Sequence, residues 1–467
     1  MKSYIGNLER KQERIAMKKL EKDMTTGNPG KIILSFMMPI FLGNVFQQFY
    51  NMADTIIVGK FVGTKALAAV GSTGTIMFLI CGFVIGMTSG FTVLTAQRFG
   101  AGDMKAMRKT VGGATLLSVI MTIVLTGICM LTMKPLLQFM KTPSDIFDDA
   151  YSYIMVICAG IAAQVLYNLL ANILRALGNS KIPLCFLVIS TVLNILLDMV
   201  FIIVFKMGAP GAAYATVIAQ GISGLLCLIY IIKKIPILKM EREDWRPDFQ
   251  LWKRQFQVGM PMALQFSITA IGTMIVQIPL NMLGSTMVAA YTAACKIEQV
   301  VTQAFVALGT TLATYSAQNM GAGKIKRIHQ GFRAATIMSF IYAVVTGILV
   351  MFFGKYMTGL FVSGNVSEIM SAVDIYLKCA GLFFIPLAVV NLYRCGIQGM
   401  GYGILPMMAG VAELIGRALV AVLAMRNNSF VGVCMASPIA WIFAAVLLIV
   451  MYFYIMNHDM KKLEHEE

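Results

Sequence analysis

Charge-free apolar stretches recur along the whole of the 467-residue chain, each bounded by Lys, Arg or Gly/Pro turns, and most are at or above the roughly 20 residues a helix needs to cross hydrocarbon. About twelve can be delimited: 32–58, 66–96, 110–133, 150–174, 182–205, 211–232, 258–281, 287–317, 334–354, 371–397, 405–424 and 431–456. They lack the short alternating pattern of a membrane barrel, so helices, which satisfy their own backbone in lipid, are the expected structure. With 58% hydrophobic and 13% charged residues, the composition excludes a soluble domain.

The formal net charge of +16 is spread by side of the membrane, with no basic domain of the kind that binds nucleic acid. Lys and Arg crowd residues 1–31, 98–109, 175–181, 233–254, 324–333 and 461–462, while the alternate connections hold only Lys60, Lys65, Lys134, Lys141, Lys206, Lys355 and Arg426. The positive-inside rule places both termini in the cytoplasm. Residues 1–30 read as a charged cytoplasmic or interfacial segment without a cleavable signal. The nine cysteines all fall inside spans without CxxC spacing and read as small core residues. No cofactor is implied, and no HExxH, DDxxD or GxSxG pattern points to an enzyme.

The segment AQRFGAG at 96–102 returns as AQNMGAG at 317–323, 221 positions later. At the same displacement Gly63 maps onto Gly284 and Gly211 onto Gly432. This is a duplicated six-helix unit. It divides the chain into a first lobe at 31–232, a cytoplasmic linker at 233–257, a second lobe at 258–456 and a tail at 457–467. An even number of spans makes both lobes enter from the same side, so a pseudo-two-fold along the membrane normal relates them. Carriers that expose a central cavity alternately are built in this way.

Charges inside the spans are few. Asp54 is the only charge between Lys31 and Lys60, and Asp198 the only one between Lys181 and Lys206. Asn194 precedes Asp198 by four residues and shares its helix face. Thr216 starts the sixth span at a matching depth. Together the four make an oxygen-rich site for a proton or a hard cation such as sodium, the one metal the chain is expected to hold. The competing reading is hydrogen bonding between helices as structural glue. In the second lobe Glu413 and Arg417 are spaced as a helix-face ion pair, and Lys296 and Glu298 need partners on other helices, forming a secondary polar network with them. Lys378 and Arg394 are expected to snorkel. Gln47, Tyr50, Asn51, Met87, Tyr167, Met274 and Gln277, with Gln48 and Phe305, suit the lining of a cavity for amphipathic ligands, though plain packing serves each of them too.

The first helix ending in MADTIIVGKFVGTKALAAVG, the repeated AQxxGAG loop and the fifth-helix NxxxD followed by GAPGAAYATVIAQ carry a resemblance that covers Pro29 to Met456. The chain resembles the multidrug and toxic compound extrusion (MATE) family and looks closest to its MepA-like bacterial branch. The resemblance implies an antiporter of the bacterial cytoplasmic membrane, working as a monomer, that exports cationic or amphipathic drugs while protons or sodium ions enter. It also implies cation coupling at Asp54, Asn194, Asp198 and Thr216. The NorM branch carries acids in helices seven and ten, whereas Gln265 to Ala270 and Pro386 to Asn391 contain none here. A flippase for a lipid-linked precursor is the alternative within transport, and a non-transport membrane protein ranks behind it.

Overall fold

The computed structural model describes residues 23–140, 142–358 and 366–459. The charged segment before residue 23 and the tail beyond residue 459 lie outside them. Among the described residues all regular structure is helical: α1 (Pro29–Ile57), α2 (Thr64–Gly100), α3 (Met104–Phe139), α4 (Phe147–Ala159), α5 (Ile161–Ala176), α6 (Lys181–Asp198) and α7 (Ala209–Lys234). Then follow α8 (Phe249–Met282), α9 (Ser285–Gly321), α10 (Ile325–Thr358), α11 (Val366–Leu382), α12 (Phe384–Gly399), α13 (Ile404–Arg426) and α14 (Phe430–Tyr454).

Among the described residues nine helical stretches are long and apolar enough to cross a membrane, and counting each of two bent pairs as one span gives eleven. The twelfth span read from the sequence is α9, whose 37 residues include Lys296, Glu298 and several Thr and Gln. The chain is a multi-pass membrane protein.

Both bent pairs have a local cause. Between α4 and α5 the axis turns by 45° at Gly160. A Cβ there would lie 2.2 Å from Val217 Cγ2, so only glycine admits α7 this closely. Between α11 and α12 the turn is 51° at Phe383. Pro386 has no N–H to offer the Leu382 carbonyl, and within the first turn of α12 that loss costs nothing. The duplication shows in the turns as well. Gly63 and Gly284 have φ of 113° and 94°, and Gly102 and Gly323 have 73° and 67°. Each pair starts the same connection in the two halves, in a region that L side chains avoid.

The packing divides the described residues into two compact units, 38–263 with 23–26, and 264–459 with Gly27–Met37. These boundaries cut α1 and α8 inside the helix, and the sequence boundaries at 31 and 258 also fall within them, since the helices start at Pro29 and Phe249. In the first unit α2 and α8 meet at glycines: a Cβ on Gly86 would be 2.6 Å from Ala263 Cα, and one on Gly90 2.3 Å from Gly259 Cα. In the second unit Arg327 Nη1 donates to the Gly27 carbonyl at 3.0 Å.

The charged linker is folded onto the first unit. Two 3-10 turns, Pro236–Leu238 and Arg242–Trp245, bury Ile237, Leu238 and Asp244. Asp244 pairs with Arg108 at 3.4 Å and accepts from the Glu241 N–H. Fully buried Gln255 donates to the carbonyls of Phe91 and Thr110 at 3.1 and 2.8 Å. Gly112 admits the strap, because a Cβ there would be 2.2 Å from the Asp244 carbonyl oxygen.

Close contact at Gly90 and open space at Gly74 predict opposite outcomes for one substitution. Gly90→Ala forces helix backbones apart and is expected to cost about 1–3 kcal/mol. Gly74→Ala meets nothing within 4 Å and is expected to leave stability unchanged or raise it, by up to about 1 kcal/mol. Thermal unfolding of the purified protein in detergent reads both.

Candidate functional site

The first unit brings the predicted carboxylates together. α1 continues past Ile57 into a π-helical turn, Val58–Val62, and α6 runs from Asp198 directly into another, Met199–Val204. The two turns touch each other. Such turns insert an extra residue in the helix ladder and re-aim neighbouring side chains. Asp54 lies one turn before the first and Asp198 immediately before the second. Their carboxyl groups approach closely enough to share a hydrogen bond when one of them holds a proton.

Asp198 is fully buried and neither of its oxygens receives a donor from the protein. The same holds for Asp54 Oδ1 and Asn194 Oδ1. Beside this pair, the Tyr50 hydroxyl and Thr216 Oγ1 are hydrogen-bonded at 2.8 Å, and Asn194 Nδ2 donates to Thr216 Oγ1 at 3.4 Å. All four predicted coupling residues therefore belong to one constellation built from α1, α6 and α7. Its chemistry is that of a site for one proton or one hard cation, since unpaired oxygens dominate it.

A cavity of about 30 Å³ adjoins the constellation. Gln47, Tyr50, Tyr167, Asn194 and Thr216 line it, together with Ser190, Thr191 and Gln220. The last three were missed from the sequence, although periodicity held the signal. Ser190, Asn194 and Asp198 repeat at four-residue spacing, as Thr216 and Gln220 do, so the polar stripe on α6 extends a further turn beyond Asn194.

The other lining candidates lie elsewhere. Asn51 is exposed on α1, and Met87 is buried in the apolar core of the first unit. Gln48 is half-buried on α1. Met274 and Gln277 are exposed on the second-unit part of α8, where Gln277 bonds Asn281 at 2.6 Å. Phe305 packs edge-on against Tyr342 and Phe384.

In the second unit Glu413 is satisfied twice. Its Oε1 takes Arg417 Nη2 at 2.6 Å and its Oε2 takes Arg394 Nη2 at 2.8 Å. Arg417 passes Gly272, where a Cβ would stand 2.8 Å from its Nη1, and reaches the Thr269 carbonyl. Arg394 therefore does not snorkel. It is half-buried and turned to Glu413, because the end of α12, from Gly396 to Gly399, is packed inside the unit. Lys378 pairs with Asp374 on its own helix at 2.6 Å. Glu298 accepts a short hydrogen bond from Tyr376, whose hydroxyl also takes Cys295 Sγ–H at 3.1 Å. Lys296 is exposed and makes no hydrogen bond or ion pair among the described residues, so the polar network centres on Glu413 with Arg394 in its place.

A MatE family model matches residues 39–200 and 261–423, one match in each half. The chain is 31% identical to the probable multidrug resistance protein YpnP of Bacillus subtilis, across 80% of this chain and 83% of that protein. It is 28% identical to the probable multidrug resistance protein YoeA of the same organism, across 70% and 72%. An outward-facing structure of a multidrug resistance MATE transporter of the MOP superfamily superposes with a TM-score of 0.87 at 22% identity, covering 94% of this chain and 98% of that one.

The two clusters predict opposite responses to losing a charge. Glu413→Gln strands two buried guanidinium groups and is expected to destabilise by about 3–5 kcal/mol. Asp198→Asn removes a buried carboxylate that lacks a donor and is expected to keep or raise stability. Unfolding midpoints in detergent check both signs.

Proposed function

The chain belongs to the MATE family of membrane transporters, and on that premise we propose that it is a cation-coupled antiporter exporting amphipathic or cationic compounds. Protons or sodium ions enter in exchange, through the site formed by Asp54, Asn194, Asp198 and Thr216. The observation that carries this reading is the pair of facing carboxyl groups with three buried oxygens left without a protein donor. A carboxylate pair in that condition is costly unless a cation completes it. The multidrug resistance names of YpnP and YoeA support the class of cargo.

In mechanism, Asp198 on α6 and Asp54 on α1 repel each other while both are ionised. A proton or sodium ion between them removes the repulsion and draws the two helices together at their π turns. The Tyr50–Thr216–Asn194 bonds tie α7 to the same event, so occupancy of the site biases the arrangement of three helices. A cargo that binds one arrangement better than the other is then exchanged against the ion, and its differential affinity sets the coupling. The site needs the bacterial cytoplasmic membrane with both termini inside, the orientation that the Lys and Arg distribution favours. No second subunit is required, because every coupling residue comes from one unit of one chain.

Everted membrane vesicles suspended in a fluorescent lipophilic cation test the reading, with a proton or a sodium gradient imposed in turn. Native protein is expected to move the dye under one gradient, and Asp54→Asn is expected to abolish that movement at equal expression. Undiminished transport by the variant would sink the assignment. Gradient-independent dye movement would favour a flippase-like or uncoupled carrier.

A further inference from the structure

The linker that joins the two halves encloses a second cavity, of about 440 Å³, against the start of α3. Lys109, Glu243, Arg246, Asp248, Phe249 and Trp252 are among its lining residues. Both acids there are already engaged. Glu243 Oε2 lies 3.6 Å from Lys105 Nζ, and Asp248 Oδ1 accepts the N–H groups of Gln250 and Leu251 at 3.1 Å each. The nearby buried acid Asp244 is taken by Arg108. The side chains of Lys109 and Arg246 make no hydrogen bond or ion pair among the described residues. Lys109 and Arg246 are thus the cations of the lining that no acid engages, and they face a common space with Asp248, whose carboxylate is held by backbone N–H groups.

The rim of the cavity is apolar and exposed. Phe249 is 77% exposed, the Phe249 and Trp252 rings meet edge-on at 5.6 Å between centroids, and Trp245, the chain neighbour of the lining Arg246, is 42% exposed. Aromatic rings of this kind belong at the headgroup level of a bilayer. The segment also joins the end of one apolar span, at Lys234, to the start of another, at Phe249, so it sits where hydrocarbon gives way to headgroups. It lies on the side where the sequence concentrates Lys and Arg, the side expected to face the anionic leaflet.

We propose that this cavity binds the phosphate-bearing headgroup of an anionic phospholipid, with Lys109 and Arg246 on the phosphate and Trp245 and Phe249 against the glycerol and upper acyl chains. Free phosphate shares the charge but cannot use the aromatic rim, so the lipid is the occupant. The strap is rigid enough to hold such a site. Gln255, Asp244 and the close contact at Gly112 fix it to α3 without help from either cation.

The chain has three tryptophans, of which Trp252 lines the cavity, Trp245 precedes the lining Arg246 and Trp441 is buried in the other unit. In full-length protein carrying Trp441→Phe, quenching by lipids with brominated acyl chains reports what lies beside the linker. In mixed micelles, anionic brominated lipid is expected to quench at a lower mole fraction than zwitterionic brominated lipid. Lys109→Gln and Arg246→Gln are each expected to raise the anionic half-quenching fraction about fivefold and to leave the zwitterionic one alone. Lys109→Arg with Arg246→Lys is expected to keep the preference. Three results would overturn the proposal. The control pair Lys253→Gln and Arg254→Gln could weaken quenching equally, which means diffuse surface attraction. Glycerol phosphate could relieve the quenching at the same phosphate concentration, which means a free-anion site. The charge-conserving pair could lose the preference, which means that charge is not the cause.

Discussion

Inside hydrocarbon there is no water to accept or donate a hydrogen bond, so each polar group that the helices bury has to find its partner within the protein. This chain obeys that rule in most places with short-range bonds. Thr88, Thr115, Thr122, Thr191 and Thr311 all return their hydroxyls to a carbonyl one turn earlier, at 2.7 to 2.9 Å. Glu413 obeys it with two guanidiniums, one for each oxygen. Among the described residues the carboxylate oxygens that break the rule gather in one place, at Asp54 and Asp198 beside the unpaired Asn194 amide oxygen, while the other exceptions are single hydroxyl, amide or guanidinium atoms scattered through the chain. On the proposed reading, the buried carboxyl pair without donors is where a mobile cation relieves the polar cost.

Duplication makes the contrast sharper, because the two halves share their turns and not their polar content. Positions 221 residues after Asp54 and Asp198 hold Ile275 and Leu419. Around them the second unit has an apolar cluster of Val276, Leu280, Ala424, Val433 and Ala436. Conversely, the position of Glu413 corresponds to Val192, and that of Glu298 to Met77, which accepts from Tyr153 much as Glu298 accepts from Tyr376. Glycine turns and helix breaks are set by backbone geometry and survive in both copies. Ionisable groups are set by what each lobe does, and they differ.

The same distinction explains what could be read from the sequence. Asp54, Asn194, Asp198 and Thr216 were legible because charge is rare in the spans and helical periodicity fixes which neighbours share a face. Arg394 was not, since a straight span 371–397 puts it near a membrane boundary. Only the break at Phe383 and the buried end of α12 show that it points to Glu413. The linker was also opaque. Its Lys, Arg, Glu and Asp have the composition of a solvated tether, and the contacts that fold it depend on Gly112, Gly113 and Gln255, residues with no local signature. Ser190, Thr191 and Gln220 failed for a different reason. Their positions were periodic, but hydroxyls and amides are too common in spans to draw attention without a cavity to face.

The size of that cavity constrains how coupling can work. About 30 Å³ accommodates a water molecule or a bare ion, while pockets for drug-sized ligands run to roughly 300–1,000 Å³. In this arrangement of the helices the cavity beside Tyr50, Asn194 and Thr216 therefore does not hold a drug-sized cargo. What the ion can change is the spacing of α1 and α6 at their touching π turns and, through Thr216, the position of α7. On the proposed reading, the free energy of neutralising two carboxyl groups is thus transmitted as helix displacement, and the cargo senses the ion only through the shape of the lobe that holds it.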